Sequence, residues 1–282
     1  MRKLLVIILF CMFIIRKDDI VLAVLNGWDL WNNKLFPLLF PTFVLSDLLI
    51  STGIVNFIVK RFGFIYEKLF KNNKIGLYIL LISFIAGTPN NAKNLKFFKD
   101  SNLLNDSEIN KILISSILFN PLLIISLGGF KLLLILFLSN FIVGLLFRNV
   151  NVLVSNREFD TNYSFELSES ISKNISVCFQ ILGTVVIFSS LISLLKTNNL
   201  FFNLFINIFL ELSNGINFIS MFYNNSLCLY AVVFSFGGIS ILMQIKSILK
   251  DTFINYKLII LSRLVCTCIS VCLCSFTWSI VT

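Results

Sequence analysis

Long apolar stretches separated by short polar breaks run along the whole chain. The apolar stretches lie at about 35–59, 75–87, 112–129, 131–147, 174–195, 200–212, 226–243 and 257–281. Several are shorter than the roughly 20 residues that a helix needs to cross a bilayer. The short ones adjoin breaks rich in Gly, Pro, Asn and Ser, and irregular backbone lies at membrane depth only where protein or a wet cavity satisfies it. The pattern predicts an all-α, multi-pass integral membrane protein with two re-entrant or broken-helix hairpins.

The order of the breaks predicts an inverted repeat. Each half opens with a spanning helix, at 35–50 and 175–195, and continues through a polar break, at 88–93 and 211–215. Nine basic residues lie between positions 59 and 112, whereas none lies from 197 to 245. Because Lys and Arg accumulate in cytoplasmic loops, the open end of the first hairpin is expected in the cytoplasm and that of the second on the opposite side.

The pattern divides the chain into four regions. These are a membrane anchor with an interfacial amphipathic helix (1–34), a first repeat (35–148), a central polar loop (149–173) and a second repeat (174–282). In the first region, the apolar run 4–15 is short for a span, so it either crosses the bilayer or lies in the interface. The stretch 20–35 carries Trp28 and Trp31, which are typical interfacial anchors.

Composition agrees with a membrane protein. Of the 282 residues, 57% are hydrophobic and 13% are charged, whereas a soluble domain is about half apolar and about a quarter charged. A soluble enzyme, a disordered protein and a nucleic-acid-binding domain are therefore disfavoured. The net charge of +9 fits positive cytoplasmic loops, with an anionic ligand as the alternative explanation. We expect the bilayer and a small-molecule solute as partners, without nucleic acid, and the pattern sets no oligomeric state.

Two carboxylates stand alone in apolar segments. Glu211 is the only charged residue in 197–245, and Asp47 is the only one in 35–59. A charge inside a membrane helix costs about 2.5–3.5 kcal/mol, so each is a candidate for binding a coupling proton or sodium ion. The alternatives are an interfacial glutamate touching headgroups, and for Asp47 a hydrogen bond between helices.

Lys93 follows the break at Thr88, where Asn90 and Asn91 would cap a helix whose N-terminus favours an anion. Lys93 then either pairs with an anionic solute or simply belongs to a charged cytoplasmic face. Polar and glycine residues at the other breaks complete the candidate binding set. That set is Asp47, Thr88, Asn90, Asn91, Lys93, Asn120, Glu211, Ser213, Asn214, Gly215, Ser235, Gly237, Gly238 and Gln244.

Catalytic chemistry has little support in the sequence. Histidine is absent, which removes His-based acid–base catalysis, Ser–His and Cys–His pairs and most zinc sites. The four cysteines of the last apolar segment scatter around a helix, and no Walker A loop, Rossmann glycine pattern or nucleophile elbow occurs. We expect no enzyme, no metal site and no cofactor apart from the coupling ion. A membrane enzyme acting on lipid is the least favoured alternative.

Five segments in order resemble a known family. They are 35–50, beginning Leu-Phe-Pro; 87–93, Gly-Thr-Pro-Asn-Asn-Ala-Lys; 119–121, Phe-Asn-Pro; 210–215, Leu-Glu-Leu-Ser-Asn-Gly; and 235–240, Ser-Phe-Gly-Gly-Ile-Ser. Together they resemble the sporulation integral membrane proteins of the YlbJ type, which carry the nucleoside-recognition (Gate) domain of concentrative nucleoside transporters and spore maturation proteins. Asn91 and Leu242 depart from that family's usual small and polar residues.

The resemblance implies a function as well as a fold. It implies that both repeats are Gate-like, and that the protein acts in spore maturation. It further implies a secondary transporter that moves a small anion such as dipicolinate across a forespore membrane. A non-transporting membrane scaffold for spore-envelope assembly is the alternative.

Overall fold

The computed structural model describes residues 2–152, 154, 165–223 and 226–279, which form helices throughout. Their fourteen α-helices, in chain order, are α1 Arg2–Ile15, α2 Lys17–Leu30, α3 Phe36–Ser51, α4 Ile54–Phe70, α5 Gly76–Ala86, α6 Asn90–Asp100, α7 Asp106–Ser116, α8 Pro121–Leu146, α9 Leu167–Leu195, α10 Leu200–Leu210, α11 Leu212–Phe222, α12 Leu227–Phe236, α13 Gly238–Ile248 and α14 Tyr256–Ser279. A π-helical turn, Trp31–Leu35, joins α2 to α3, and a 3-10 turn, Phe147–Asn149, follows α8.

Five helical stretches are long and apolar enough to cross a membrane. They are Lys17–Ser51, Pro121–Asn149, Leu167–Leu195, Leu227–Ile248 and Tyr256–Ser275. Two shorter apolar helices, α5 and α10, accompany them. The described residues contain no strand, so the prediction of an all-α, multi-pass membrane protein is confirmed.

The first long stretch runs without a break through α2, the π-helical turn and α3. The structure therefore places residues 20–35, expected as an interfacial helix, in one 35-residue helix with α3. The reason is visible at Trp31, whose indole is 5% exposed and donates a 3.0 Å hydrogen bond to the Cys178 carbonyl of α9. The ring is held inside the protein, so it does not anchor a surface helix.

The central loop, expected at 149–173, is shorter than expected because α9 already begins at Leu167. Residues 155–164 of this loop lie outside the described part of the chain.

Four loops meet at one end of the bundle, which we call the basic end because Lys71, Lys74, Lys99 and Arg148 lie there. The loops are 71–74, 99–106, 148–150 and 251–253. Lys111 of α7 donates to the carbonyls of Lys71, Arg148 and Val150 at 2.8–3.0 Å. The N-terminus of α9 faces this end too, because α13 runs towards the basic end and antiparallel to α9: Gln244 bonds Thr184 at 2.9 Å and Ser247 bonds Gln180 at 3.2 Å.

Two hairpins of short helices enter the bundle from opposite ends. α5 and α6 form the first hairpin, which opens at the basic end, and α10 and α11 form the second, which follows the far end of α9. Each arm has 11 residues. Such an arm is about 16 Å long, half of a ~30 Å hydrocarbon core, so both tips lie at mid-depth.

Two interrupted helices follow the hairpins. α7 continues into the first part of α8 after a break at residues 117–120, and α12 continues into α13 after Gly237. A bend at Gly129 (φ 65°, ψ −170°) divides α8. Its second part returns beside α7, where a side chain on Gly144 would lie 2.9 Å from Cβ of Ser115.

Each hairpin tip rests on the break of the interrupted helix that follows it. The Thr88 amide donates to the Leu118 carbonyl at 2.7 Å. Gly87 has φ +78°, and an added Cβ would stand 2.6 Å from the Asn120 nitrogen. At the second tip, Gly238 has φ +77°, and its Cβ would stand 3.3 Å from the Leu210 carbonyl oxygen. Only glycine allows both the left-handed backbone and this close approach.

Candidate functional site

The two tips, the first break and α13 border one small cavity at mid-depth, which we call the central cavity. Thr88 comes from the first tip, Asn120 from the first break, Glu211 from the second tip and Gln244 from α13. Ile181 and Val185, in the middle of α9, form part of its wall. Its volume is about 40 Å³. That is room for a few water molecules or a small ion.

Three buried polar atoms around this cavity have no hydrogen-bond partner in the described part of the chain. They are Thr88 Oγ1, Asn120 Nδ2 and Gln244 Oε1, and their residues are 3–5% exposed. A buried polar group left unpaired costs about 1–3 kcal/mol. Three such atoms facing one space indicate a binding site for a polar ligand or ion.

Neighbouring hydrogen bonds fix the direction of two of these atoms. The Thr184 hydroxyl donates to the Ile181 carbonyl at 2.8 Å, so its oxygen accepts from Gln244 Nε2 at 2.9 Å. The Gln244 carbonyl oxygen is thereby left for the cavity. Asn120 caps α8, because its Oδ1 accepts from the Leu122 amide at 2.9 Å. Its Nδ2 donor remains free to bind a ligand.

Glu211 is the one ionisable residue among those that line the central cavity. It is 1% exposed and separates α10 from α11. Its Oε2 accepts from the Asn214 amide at 2.7 Å, so the carboxylate caps α11. Ser213, beside it, lines the same cavity. Of the described residues, none of those lining the cavity carries a positive charge that would pair with Glu211.

Four helices begin at the tips and breaks around the cavity. They are α6, α8, α11 and α13, which start at Asn90, Pro121, Leu212 and Gly238. The N-terminus of a helix carries partial positive charge and unpaired amides. The electrostatic environment therefore favours an anionic group, and the Glu211 carboxylate already occupies one of the four ends.

A larger cavity of about 330 Å³ adjoins the central one. Leu35, Leu38, Leu123 and Ser213 line both. The larger cavity continues along α11 past Asn217 and reaches Lys34, away from the basic end. The larger cavity therefore lies on the side of the midplane away from the basic end, and leucine side chains form most of its lining.

Asp47 and Lys93 lie in a different place from Glu211. Lys93 Nζ contacts Asp47 Oδ1 at 2.5 Å, and both side chains are mostly buried. Asn174 of α9 joins the pair, since its Oδ1 accepts from Lys93 at 2.8 Å and its Nδ2 donates to Asp47 at 2.9 Å. Neither charge lines the central cavity. The structure thus brings these two predicted residues to each other, apart from the residues at the tips.

Four of the other predicted residues make contacts that hold the hairpins and breaks in place. Asn91 donates to the Ser116 carbonyl at 2.8 Å, and Asn90 accepts from Ser46 at 3.2 Å. Asn214 donates to Ser189 at 2.7 Å. Gly215 packs against α10, where an added Cβ would meet the Ile208 Cα at 3.3 Å.

The second break is held in the same way. Ser235 and Thr267 share a 3.1 Å hydrogen bond between their hydroxyls. Gly237 (φ +85°) lies against the Phe119 ring of the first break. Ser235 and Gly237 were predicted as part of the binding set. They hold the second break in position and do not line the central cavity.

Sequence reasoning missed Arg263 of α14. It is 1% exposed and donates to the carbonyls of Ile114 and Ile117, at 2.5 and 3.1 Å, and to Asn140 at 2.9 Å. The guanidinium therefore caps the C-terminal end of α7 just before its break. Arg263 is the only charged residue in 258–282. The same rule that pointed to Glu211, a single charged residue in a long apolar segment, would have identified Arg263.

The fold and this site define a multi-pass α-helical membrane protein with a buried polar cavity between two helical hairpins. Over 109 residues the chain is 28% identical to "Sporulation integral membrane protein YlbJ" of Bacillus subtilis (strain 168). The match covers 38% of this chain and spans 27% of that relative. No family model matches the chain, and no solved structure matches it. The similarity supports the resemblance to that relative's family that the five segments indicated.

Proposed function

We propose that the protein is a secondary transporter that binds a small anionic solute in the central cavity and works in sporulation. The observation that carries the proposal is the set of three buried, unpartnered polar atoms of Thr88, Asn120 and Gln244, three residues that line one cavity. Sporulation comes from the name of the relative. From the family resemblance we take dipicolinate, moved across a forespore membrane, as the first solute to test.

The site chemistry supports an anion. The N-termini of α6, α8 and α11 border the cavity and that of α13 adjoins Glu211, while Asn120 Nδ2 and the Thr88 hydroxyl supply further donors. Lys93 does not supply the countercharge, because Asp47 neutralises it. The amide ends of the broken helices therefore carry the recognition, with Gln244 Oε1 accepting from any donor of the solute.

We further propose that the two hairpins form an inverted repeat and that this arrangement provides alternating access. The first opens at the basic end, which we take as cytoplasmic by the positive-inside rule, and the second opens at the other end. The larger cavity extends from the centre towards that other end, as far as Lys34 and Asn217. We therefore interpret this structure as the conformation that faces away from the cytoplasm.

Glu211 is the proposed coupling residue. Its carboxylate caps α11 inside the cavity wall, so a proton or sodium ion bound there would weaken the cap and free amides for the solute. Transport would then depend on the ion gradient. The amide variant Glu211→Gln keeps the size of the side chain and removes its charge.

The test is uptake of labelled dipicolinate, beside a labelled nucleoside, into proteoliposomes. Saturable, gradient-dependent uptake is expected for the wild type, and its gradient dependence should disappear in Glu211→Gln. Glu67→Gln is the matched control, because Glu67 is 42% exposed and 3.5 Å from Lys74. Gradient-dependent uptake by Glu211→Gln equal to wild type would remove Glu211 as the coupling site.

A second variant tests the cavity itself. Gln244→Leu removes one free acceptor, and the loss of one hydrogen bond, about 0.5–1.5 kcal/mol, should raise the half-saturation concentration roughly 2–10-fold. An unchanged half-saturation concentration would mean that the solute does not bind beside Gln244 in the central cavity.

A membrane scaffold for spore-envelope assembly is the second candidate. It is favoured by the small central cavity, whose 40 Å³ suits a few water molecules better than an aromatic dicarboxylate. Under this function, Asp47 and Glu211 tolerate amide substitution. Absence of uptake of both solutes by folded, inserted protein, together with retention of envelope proteins in a pull-down, would favour the scaffold and overturn the transporter.

A further inference from the structure

A polar cluster lies between the central cavity and the basic end. It consists of Asp47 of α3, Lys93 of α6, and Ser170 and Asn174 of α9. Along α9, Asn174 precedes Ile181 of the cavity wall by seven residues, or about 10 Å. The cluster therefore stands across the path from the cavity to the basic end, and it joins the first hairpin to two long helices.

The charged groups of this cluster are hydrogen-bonded to other groups of the protein. Lys93 Nζ donates to Asp47, to Asn174 and, at 3.1 Å, to the Phe43 carbonyl. The other Asp47 oxygen accepts from Ser170 at 2.7 Å and from Asn174. Lys93 has three N–H donors, and all three have acceptors. In this conformation the cluster has no free donor for a solute, so its role differs from that of the unpartnered atoms at the tips.

The two sides of the central cavity differ in how tightly they are packed. A 330 Å³ space leads away from it on one side. On the basic side, Cys178 fills the next turn of α9 between the cavity wall and Asn174, and it is 1% exposed. Passage in that direction requires α6 to separate from α3 and α9. The bonds of Lys93 join α6 to both helices, and the Ser46–Asn90 hydrogen bond adds a link to α3.

We propose that Asp47, Lys93, Ser170 and Asn174 form the gate that closes the basic side of the transport path, and that opening this side breaks the Lys93–Asp47 pair. The inference rests on the proposed function, because a gate is needed only if a solute passes through the protein. Its test measures how accessible the path is from the basic side and does not require transport.

Native Cys178 serves as the reporter. In a protein whose other six cysteines are replaced, a membrane-impermeant maleimide is added to the basic side of vesicles, and the labelling rate of Cys178 is measured. In the otherwise unchanged protein the rate should be low, because the gate is closed. Asp47→Asn removes one charge of a mostly buried pair, and we expect at least a tenfold faster rate.

Three further variants make the test specific. Glu169→Gln breaks an exposed pair with Lys173, 2.6 Å apart on the same helix, and should leave the rate unchanged. The double variant Asp47→Leu with Lys93→Met replaces the pair by apolar side chains and should return the rate towards the starting value. Ser170→Ala keeps both charges and removes only the two hydrogen bonds of the Ser170 hydroxyl, to Asp47 and from Asn174. It should raise the rate by a few fold, which keeps the test usable if Asp47→Asn does not fold.

The outcomes separate the gate from the transporter. An unchanged rate in folded Asp47→Asn, or in Ser170→Ala if only that variant folds, overturns the gate. So does an equal increase in Glu169→Gln, which would mean general loosening of α9. A faster rate in Asp47→Asn that the apolar double variant reverses supports the gate. Absence of uptake in the wild type would instead overturn the proposed function, while the labelling rates would still report whether the cluster closes this side.

Discussion

Arg263 offers the sharpest test of how the first break is held. Its guanidinium is fully buried and donates to two carbonyls at the end of α7 and to Asn140. Each hydrogen bond from a charged donor contributes about 1.5–3 kcal/mol. Against this, a cation inside a membrane helix costs about 2.5–3.5 kcal/mol. We therefore expect Arg263→Leu to lower the free energy of unfolding by about 2–5 kcal/mol, since it also leaves the carbonyls unpaired.

Thermal unfolding of the detergent-solubilised protein measures this loss. At about 2–4 °C per kcal/mol, Tm should fall by roughly 4–20 °C. Arg16→Leu is the matched control, because Arg16 is exposed and donates to the carbonyls of Ser193 and Leu194 at the end of α9. A surface substitution of this kind changes stability by about 0.5 kcal/mol or less. Equal shifts in the two variants, or no shift in Arg263→Leu, would refute the reasoning.

Two other substitutions test local features by the same measurement. Gly238→Ala forces a Cβ into a left-handed backbone (φ +77°), which costs about 1–2 kcal/mol; Gly183→Ala, with open space around it on α9, should leave Tm unchanged or raise it. Trp31→Phe keeps an aromatic ring but removes the 3.0 Å hydrogen bond to the Cys178 carbonyl. This should cost about 0.5–1.5 kcal/mol, because that carbonyl keeps its hydrogen bond within α9. Trp28→Phe, at a 45% exposed position, should have a much smaller effect, and the reverse order would contradict the assigned hydrogen bond.

The positions of the breaks could be predicted from the sequence for a local reason. Gly87 and Gly237 adopt positive φ, and Pro121 begins α8. Each residue type limits the backbone of its own position, whatever lies around it. Short apolar segments next to such residues therefore already indicated half-length helices. The lone Glu211 pointed to the second tip by the same kind of local argument.

The partners of the charged residues could not be predicted in that way. Lys93 pairs with Asp47, 46 residues earlier, and with Asn174, 81 residues later. Which groups meet across such distances is set by helix packing, and the spacing of residues along the chain does not encode it. The charge of Lys93 suggested an anionic ligand, and the structure supplies an internal carboxylate. The path of α2 into α3 depended on packing too, since the burial of Trp31 against α9 decides it.

The Lys93–Asn174 hydrogen bond also sets an order of events during synthesis. Asn174 follows Lys93 by 81 residues, and at about 5–20 residues per second the ribosome adds that length in roughly 4–16 s. For that time the first hairpin has Asp47 as a partner but lacks α9. The hydrogen bonds of Lys93 and Asp47 to Asn174 therefore form only after α9 has been synthesised. Final packing of the first hairpin against α9 is a late step in the folding of this chain.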